Sequence, residues 1–575
     1  MGVVEPRWRL IETDEGVVER LRQMLGIHPA LCRILAQRGI HTFDDAKRFF
    51  RPSLSHLHSP FQLRDMERAV ERVLRAVRNG ERILLYGDYD ADGITGVALL
   101  YAFLSRFHPL LDYYLPDRER EGYGISLAGI EYACQTNTSL LITVDCGTHA
   151  HRPIALAKEY GIDVIVCDHH LPEEEGWPPA YATLNPKRPD CPYPNKHLSG
   201  CGVAFKLAQG LCQARNAAPE EWEDLLDLVA LSTCCDLVAL VGENRTLTHF
   251  GLERLGHQAR IGVWALVQKS GCSPPLKVRD VVFGLGPLVN AAGRMGDARD
   301  AVRLLLSNDR RNALQQAAVL VAKNRRRQQI ERTATARAIR QLTQQRGFKQ
   351  RKSIVWFESS LPRGIAGIVA SRLAEHFHRP TLVLTQSGEM ATGSGRSVPG
   401  FDLYAALKHC QHLLTSFGGH THAAGMELAV TQVPALIEQF EAVVQERLPP
   451  EAEQPEIPLC SVLELADVTP AFWRTLKQFA PFGPGNMTPI FLARGVRDSG
   501  YSRCLHSGHV QFSVRQGDGP IFTGVGYNMA KHFQQIRHEP FDLAFSLQED
   551  MFQGTASLCL RARALRPASR ELPDE

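Results

Sequence analysis

Three aspartates at alternate positions, in Asp88-Tyr89-Asp90-Ala91-Asp92-Gly93, crowd one short turn. Like charges this close repel, and a divalent cation neutralises them most simply; oxygen ligands favour Mg2+ or Mn2+. The same run opens calcium loops of the EF-hand type, but here the closing Glu is missing and an apolar stretch follows at once. Residues 83–86 read as a short buried strand and residues 94–104 as an apolar helix. The carboxylates therefore sit on a strand-to-helix turn at the C-terminal edge of a sheet, where α/β folds bind their ligands.

The pattern repeats. An apolar run at 140–144 ends in Asp145-Cys146-Gly147, and another at 164–167 ends in Asp168-His169-His170. A strand at 111–115 leads into Pro116-Asp117-Arg118 and Gly122-Tyr123-Gly124, and a helical run at 223–235 ends at Asp236. Parallel strands joined by helices bring their C-terminal edges together. Asp88, Asp90, Asp92, Asp145, His169 and His170 are thus expected in one crevice, with Asp236 as a further point of attachment. A single Asp at a helix end is commonly a cap, and a lone His pair is commonly structural. The set carries the argument, because it supplies ligands for two divalent ions, which about 3.5–4 Å apart clamp an in-line displacement at phosphorus. Phosphoesterase chemistry follows. Cys146, Cys167 and Cys235 adjoin these positions and are read as small core residues.

The elements that must position this set belong to a long chain. Its 575 residues are too many for one core and suggest three or four domains. A formal net charge of +3 neither demands nor excludes nucleic acid. The 14 cysteines include no C-x-x-C pair, which argues against a zinc ribbon and fits a reducing cytoplasm. No leader pattern opens the sequence and no apolar run is long enough for a bilayer, so a cytoplasmic protein without a membrane partner is expected. Residues 1–60 read as a helical segment and 61–296 as the α/β catalytic domain with a parallel sheet. Residues 297–347 are rich in helix formers and carry Lys323-Asn324-Arg325-Arg326-Arg327, so they read as a long helical linker with a basic wall. Residues 348–449 resume strand and helix alternation as a second α/β domain, with strands at 354–357 and 381–384. Residues 450–566 read as a small β-barrel with strands at 510–514, 521–525, 541–546 and 558–564. Residues 567–575 read as a disordered tail.

The ordered blocks resemble a known family. Asp88-Tyr-Asp-Ala-Asp-Gly93, Val144-Asp-Cys-Gly147, Asp168-His-His170 and Asp236 resemble the motifs of the DHH phosphoesterase superfamily. Five further blocks are similar to its RecJ branch of single-strand-specific 5′-to-3′ DNA exonucleases: Asn290-Ala-Ala-Gly-Arg294-Met, Gly364-Ile-Ala-Gly-Ile-Val-Ala370, Ser394-Gly-Arg396-Ser-Val-Pro-Gly-Phe401, Phe417-Gly-Gly-His420 and Phe482-Gly-Pro-Gly-Asn486. The resemblance runs from about residue 60 to the barrel. One departure is Cys234-Cys235, which stand before Asp236 where the family usually has small apolar residues.

The resemblance implies a fold of DHH domain, long helical linker, DHHA1 domain and C-terminal OB-fold barrel. It implies that Asp90, Asp92, Asp145, His169 and Asp236 bind two divalent cations, Mn2+ or Mg2+, with Asp88 beside them as a ligand or as a carboxylate behind the ligands. His170 would face the scissile phosphate, as charge stabiliser or as proton donor to the leaving oxygen. Arg118, Ser394 and Arg396 would hold a terminal 5′-phosphate, and Asn290, Arg294 and His420 would touch the substrate backbone. In the barrel, Phe512, Phe522, Tyr527 and Phe541 are candidates for stacking on bases. The implied activity is degradation of single-stranded DNA from its 5′ end to mononucleotides, in recombination and repair. The implied partners are single-stranded DNA, the single-strand DNA-binding protein and a RecQ-type helicase, with the chain itself a monomer. Two alternatives are a phosphodiesterase for short oligonucleotides or cyclic dinucleotides, and a non-catalytic single-strand-binding relative. Against them stand the barrel and linker in the first case and the complete ligand set in the second.

Overall fold

The computed structural model describes residues 5–172, 176–506, 508–552 and 555–568. Most of the stretch expected to be a disordered tail, 569–575, lies outside them. By its internal contacts the chain divides into two units, Ser53–Glu453 and Met1–Pro52 with Gln454–Glu575.

The first sheet of the larger unit is five-stranded and wholly parallel, in the order Leu111–Tyr114, Ile83–Gly87, Leu140–Val144, Asp163–Cys167, Ala182–Leu184. Every residue of Ile83–Gly87 and Leu140–Val144 is buried, as the unbroken apolar runs require of strands covered on both faces. Leu85, Ile142 and Ile165 face a large core with the helices Ala91–Leu104 and Gly200–Ala214, and Leu84, Leu141 and Val166 face a smaller one. Chain order reverses between the two central strands, so their C-terminal ends open a crevice at the topological switch point. Asp88 and Asp145 follow those two strands directly.

A 35-residue helix, Arg310–Gln344, then crosses to the second sheet. Asp309 caps it, and no Gly or Pro interrupts it. Its Ala313, Ala317 and Leu320 belong to the first core, and its Ala334, Ala338 and Leu342 pack with the helix Arg363–Phe377. The second sheet runs Ser416–His420, Ala423–Ala429, Met390–Arg396, Thr381–Ser387, Ile354–Phe357, with only the last pair parallel.

In the smaller unit, Phe491–Asp498, Phe541–Phe552, Thr555–Pro567, Phe522–Gly526 and Val510–Gln516 pair in turn, and the last pairs back to the first. This closed five-stranded barrel matches the expected β-barrel and adds Phe491–Asp498, which the sequence reading missed. Residues 1–60, expected as a separate helical segment, contribute more than helices. Arg7–Leu10 is a strand parallel to Glu456–Leu459, and Leu21, Leu31 and Leu35 share the barrel's core with Phe491 and Phe545. The helices Glu15–Leu25, Pro29–Gln37 and Phe43–Phe50 agree with the expectation, whereas the strand was not foreseen, because a partner some 450 residues away leaves no local pattern in Arg7-Trp8-Arg9-Leu10. Phe512 and Phe541 are 2% and 0% exposed and fill that core, so they are not stacking platforms; Tyr527 is 50% exposed.

Candidate metal centre

The strand Ile83–Gly87 delivers Asp88 into the acidic turn, and Asp90 caps the helix Ala91–Leu104, accepting the N–H groups of Asp92 at 2.9 Å and Gly93 at 3.3 Å. Asn290 Oδ1 accepts the Ala91 N–H at 2.8 Å and ties the turn to the helix Gly286–Arg294. Only glycine fits at 93, because a Cβ would stand 2.5 Å from both the nitrogen and the oxygen of Asp88. Asp92 is held from two sides. Its Oδ2 accepts the Gly200 N–H at 2.6 Å, and its Oδ1 accepts the Cys201 N–H at 2.8 Å and the Ser232 hydroxyl at 2.5 Å. Those donors stand on the N-terminus of Gly200–Ala214, capped by Ser199, and on the helix Leu226–Cys235, which ends at Asp236.

Asp145 leaves its strand with φ +61°, a left-handed conformation that costs a non-glycine residue on the order of 1 kcal/mol. Its Oδ1 stands 3.2 Å from His169 Nε2, which is also 3.6 Å from Asp236 Oδ2 and 3.8 Å from Asp92 Oδ2. Three carboxylates thus face one imidazole nitrogen. Among the described residues, neither ring nitrogen of His169 has a hydrogen-bond partner, nor do the buried Asp88 Oδ1 and Asp236 Oδ2. Buried polar atoms without partners are rare, and a ring of them facing one another is the donor set a cation requires. Ligand atoms of Asp92, His169 and Asp236 lie within 4.8 Å of one another, as do those of Asp88, Asp90 and Asp145 and those of Asp145, Asp168, His169 and His170.

The electrostatics agree. Burial, with Asp90 beside it, pushes the Asp88 carboxyl well above the usual range. Burial and the neighbouring carboxylates likewise raise Asp145 and Asp236, and raise Asp92 to about 6. Burial, with His170 next to it, pushes the His169 imidazole down to about 3, so it is neutral with a lone pair for coordination. Five carboxylates and one imidazole, with no thiolate among them, suit Mn2+ or Mg2+ better than a soft ion.

His170 is oriented differently. Its Nδ1 donates to Asp168 Oδ1 at 2.8 Å, which leaves Nε2 for a substrate, and the Tyr123 hydroxyl lies 3.3 Å from the same Nδ1. Asp168 is itself fixed by the N–H groups of His169 at 2.7 Å and Thr148 at 2.9 Å. Burial alone would lower the His170 imidazole, but the charge and hydrogen bond of Asp168 outweigh it and raise the imidazole above its ordinary value.

The remaining expected residues stand around this cluster. The Arg118 guanidinium lies 4.5 Å from the centre of the Tyr89 ring, and its charge pulls on the Asp88 carboxyl. Arg294, pushed down to about 10 by burial and by Arg118, donates from Nη1 to the Gly364 carbonyl at 2.9 Å. Arg396 Nη1 donates to Ser394 Oγ at 2.7 Å, and a Cβ on Gly367 would stand 2.8 Å from Arg396 Nη2 and 3.0 Å from Ser394 Oγ, so the pair sits close against the helix Arg363–Phe377. Partial desolvation, with His422, Arg396, His170 and Lys187 near, holds the His420 imidazole below its ordinary value. The Asn290 side-chain oxygen accepts the Ala91 N–H.

Sequence reasoning passed over Asp168 as the partner of His170, Tyr123 and Lys187. Asp168 was visible as part of Asp168-His169-His170, and Tyr123 as part of Gly122-Tyr123-Gly124. Burial lowers the Lys187 ammonium, and Asp236 and Asp168 act on it from the cluster. It follows the three-residue strand Ala182–Leu184, too short to leave a periodic signal.

Comparison with known proteins accords with this architecture. The DHH family N-terminal domain matches residues 82–233, the DHHA1 domain residues 350–446 and the RecJ OB domain residues 461–564. The chain is 36% identical over 526 residues to the single-stranded-DNA-specific exonuclease RecJ of Bacillus subtilis, covering 91% of this chain and 66% of that longer protein. It is 34% identical over 558 residues to the Escherichia coli protein of the same name, covering 92% and 94%. The crystal structure of RecJ from Thermus thermophilus in complex with Mn2+ superposes with a TM-score of 0.84 at 28% identity, over 98% of this chain and 80% of that one, and the same protein has been solved with Mg2+. With the barrel, the bridging helix and the acidic crevice all in place, the chain belongs to the RecJ family of DHH proteins.

Proposed function

We propose that this protein is a single-stranded-DNA-specific exonuclease that removes mononucleotides from the 5′ end. The observation that carries the reading is the largely buried ring of Asp88, Asp90, Asp92, Asp145, His169 and Asp236, several of whose polar atoms make no hydrogen bond among the described residues. Asp90, Asp92, Asp145, His169 and Asp236 would hold two Mn2+ or Mg2+ ions, with Asp88 closing the set. Such a pair supplies Lewis acidity at the scissile phosphate and lowers the pKa of an attacking water.

The chain's own residues do the rest. Ser232 and the Gly200 and Cys201 N–H groups fix Asp92, and Asn290 fixes the turn, so the ligands are set before substrate arrives. Water adds to phosphorus and the bond to the 3′ oxygen of the terminal nucleotide breaks. His170, whose imidazole Asp168 raises above its ordinary value, would give a proton from Nε2 to that leaving oxygen. Arg118, Ser394 and Arg396 would bind the 5′-phosphate, which places the first internucleotide phosphate over the cluster and so sets polarity. Arg294 and His420 would hold the backbone between the two sheets. The barrel's half-exposed Tyr527, with the Arg561 guanidinium 5.6 Å from its ring centre, suits a passing single strand. Family resemblance alone carries the protein partners, the single-strand DNA-binding protein and a RecQ-type helicase, the monomeric state, the role in recombination and repair, and a place in the cytoplasm. No helix among the described residues is long and apolar enough to cross a membrane.

Blocked ends test polarity. An internally labelled single strand with streptavidin bound at its 3′ end should be degraded with Mn2+, and the same strand blocked at its 5′ end should survive. Protection by the 3′ block would overturn the reading.

A further inference from the structure

The helix Arg310–Gln344 carries nine Lys or Arg residues and one acidic residue, Glu331, whereas the whole chain has a formal net charge of only +3. Charge is therefore concentrated on this one rod, and the rest of the chain is net acidic. Part of it is spent internally. Lys323 pairs with Asp300 at 2.7 Å, Arg327 with Glu331 at 2.9 Å and Arg337 with Glu358 at 2.9 Å. Arg325, Arg326, Arg332 and Arg340 are exposed and have no acidic partner among the described residues.

Helical geometry puts these arginines together. Ala313, Ala317, Leu320, Ala334, Ala338 and Leu342 form the buried stripe. At 100° per residue, Arg340 projects opposite the stripe and Arg325 and Arg332 roughly 110–125° round from it, all on the solvent side and spaced about 10–12 Å along the axis. Arg332 and Arg340, with Thr333, Ala336 and Arg337, line an open depression of about 480 Å³. Because both halves of the unit clamp the helix, the row is held in place before any partner arrives. Residues on this face are arginine, glutamine, threonine and alanine, with no aromatic ring among Arg325, Arg326, Gln329, Arg332, Thr333, Ala336 and Arg340.

We propose that the solvent face of this helix binds duplex DNA through its phosphates. A site for single strands would pair basic groups with aromatic platforms for unstacked bases, and this face has none. A duplex offers no free base faces but presents a phosphate about every 3.4 Å of axis along each strand, which a fixed row of guanidiniums can touch without reading sequence. The face would hold the double-stranded arm beside the strand being shortened. This goes beyond the reading of the active site and does not depend on cleavage.

The test is binding by the full chain in EDTA, with a blunt 30-base-pair duplex, a 5′-phosphorylated 12-nucleotide single strand and polyglutamate as probes. In the triple variant R325Q/R332Q/R340Q, duplex affinity at 50 mM salt should fall tenfold or more. The slope of log K against log salt should become shallower by about 3, one unit for each phosphate that the variant leaves unneutralised. Single-strand affinity, and Mn2+-dependent cleavage of the 12-mer, should stay within twofold, which also shows that the variant folds. Undiminished duplex binding overturns the proposal, as does a wild type that never binds duplex. Loss of polyglutamate binding with duplex binding intact assigns the face to an acidic protein and overturns it too. Equal losses for duplex and single strand assign it to the single strand's path and likewise overturn it.

Discussion

His170 Nδ1 and Asp168 Oδ1 are 2.8 Å apart, and the carboxylate is pinned from behind by the Thr148 N–H at 2.9 Å. The pair fixes which ring nitrogen is left free and raises the imidazole above its ordinary value. Asp168→Asn should lower kcat by about 10²–10⁴ and leave KM for single-stranded DNA within a few-fold, since the lost interaction acts on the leaving oxygen and not on binding. Steady-state kinetics with Mn2+ check this. An unchanged kcat would remove His170 from proton transfer.

The carboxyls of the cluster make the metal-free fold sensitive to pH. Asp92 rises from 3.8 to about 6, and Asp88, Asp145 and Asp236 rise well above 3.8. A group raised on folding gives its full stabilisation below the unfolded value, and that stabilisation is lost as pH climbs through the folded value. In EDTA the Tm should therefore fall from about pH 4 through pH 6 and beyond, as charges are forced together. Mn2+ relieves that repulsion, so the difference in Tm between Mn2+ and EDTA should widen from pH 5 to pH 8. Calorimetry at matched ionic strength reads it, and a difference independent of pH would contradict a cluster that must lose protons to bind.

The pair proposed to recognise the 5′ end is Arg396 and Ser394, hydrogen-bonded at 2.7 Å, with Arg118 acting electrostatically on the Arg396 guanidinium. Arg396→Ala should raise KM for a 5′-phosphorylated strand about 10- to 100-fold, the cost of losing a charged hydrogen bond. KM for the 5′-hydroxyl strand should hardly move. Equal loss on both strands would place Arg396 elsewhere on the path of the DNA.

The aromatic residues of the barrel divide by burial. Phe541 is fully buried, so Phe541→Ala should destabilise the barrel unit by roughly 3–5 kcal/mol in urea unfolding. Tyr527 is half exposed, so Tyr527→Ala should leave stability within about 0.5 kcal/mol. Its single-strand affinity should weaken by about 1–3 kcal/mol. A stable, fully binding Tyr527→Ala protein would move the stacking surface to other residues.

The catalytic sheet was legible because three of its strands, Ile83–Gly87, Leu140–Val144 and Asp163–Cys167, are largely apolar runs each followed by an aspartate; parallel pairing then brings Asp88, Asp145 and His169 to one edge without further information. What escaped was non-local or conformational. The strand Arg7–Leu10 takes its meaning from Glu456–Leu459, and Lys187 from a fold that carries its loop to Asp236. Asn290 is expected to touch substrate; its carbonyl oxygen also anchors the acidic turn, a role that only the packing of the helix Gly286–Arg294 reveals. Alternation in a barrel strand does not say which face is the core, and so Phe512 and Phe541 were read with Tyr527.

The account stands or falls on the acidic ring. Asp145 touches His169 and has Asp92, Asp90 and Asp236 acting on its charge, so Asp145→Ala strikes the centre of the cluster. Purified wild type and Asp145→Ala would be incubated with Mn2+ and a 5′-phosphorylated single strand labelled at its 3′ end, beside the same strand in duplex form. Progressive shortening of the single strand alone from its 5′ end, with an inert but folded and DNA-binding variant, is the predicted result. A variant that cuts as fast as wild type, or a wild type that binds the strand and never shortens it, would contradict a metal-dependent nuclease centred on these residues.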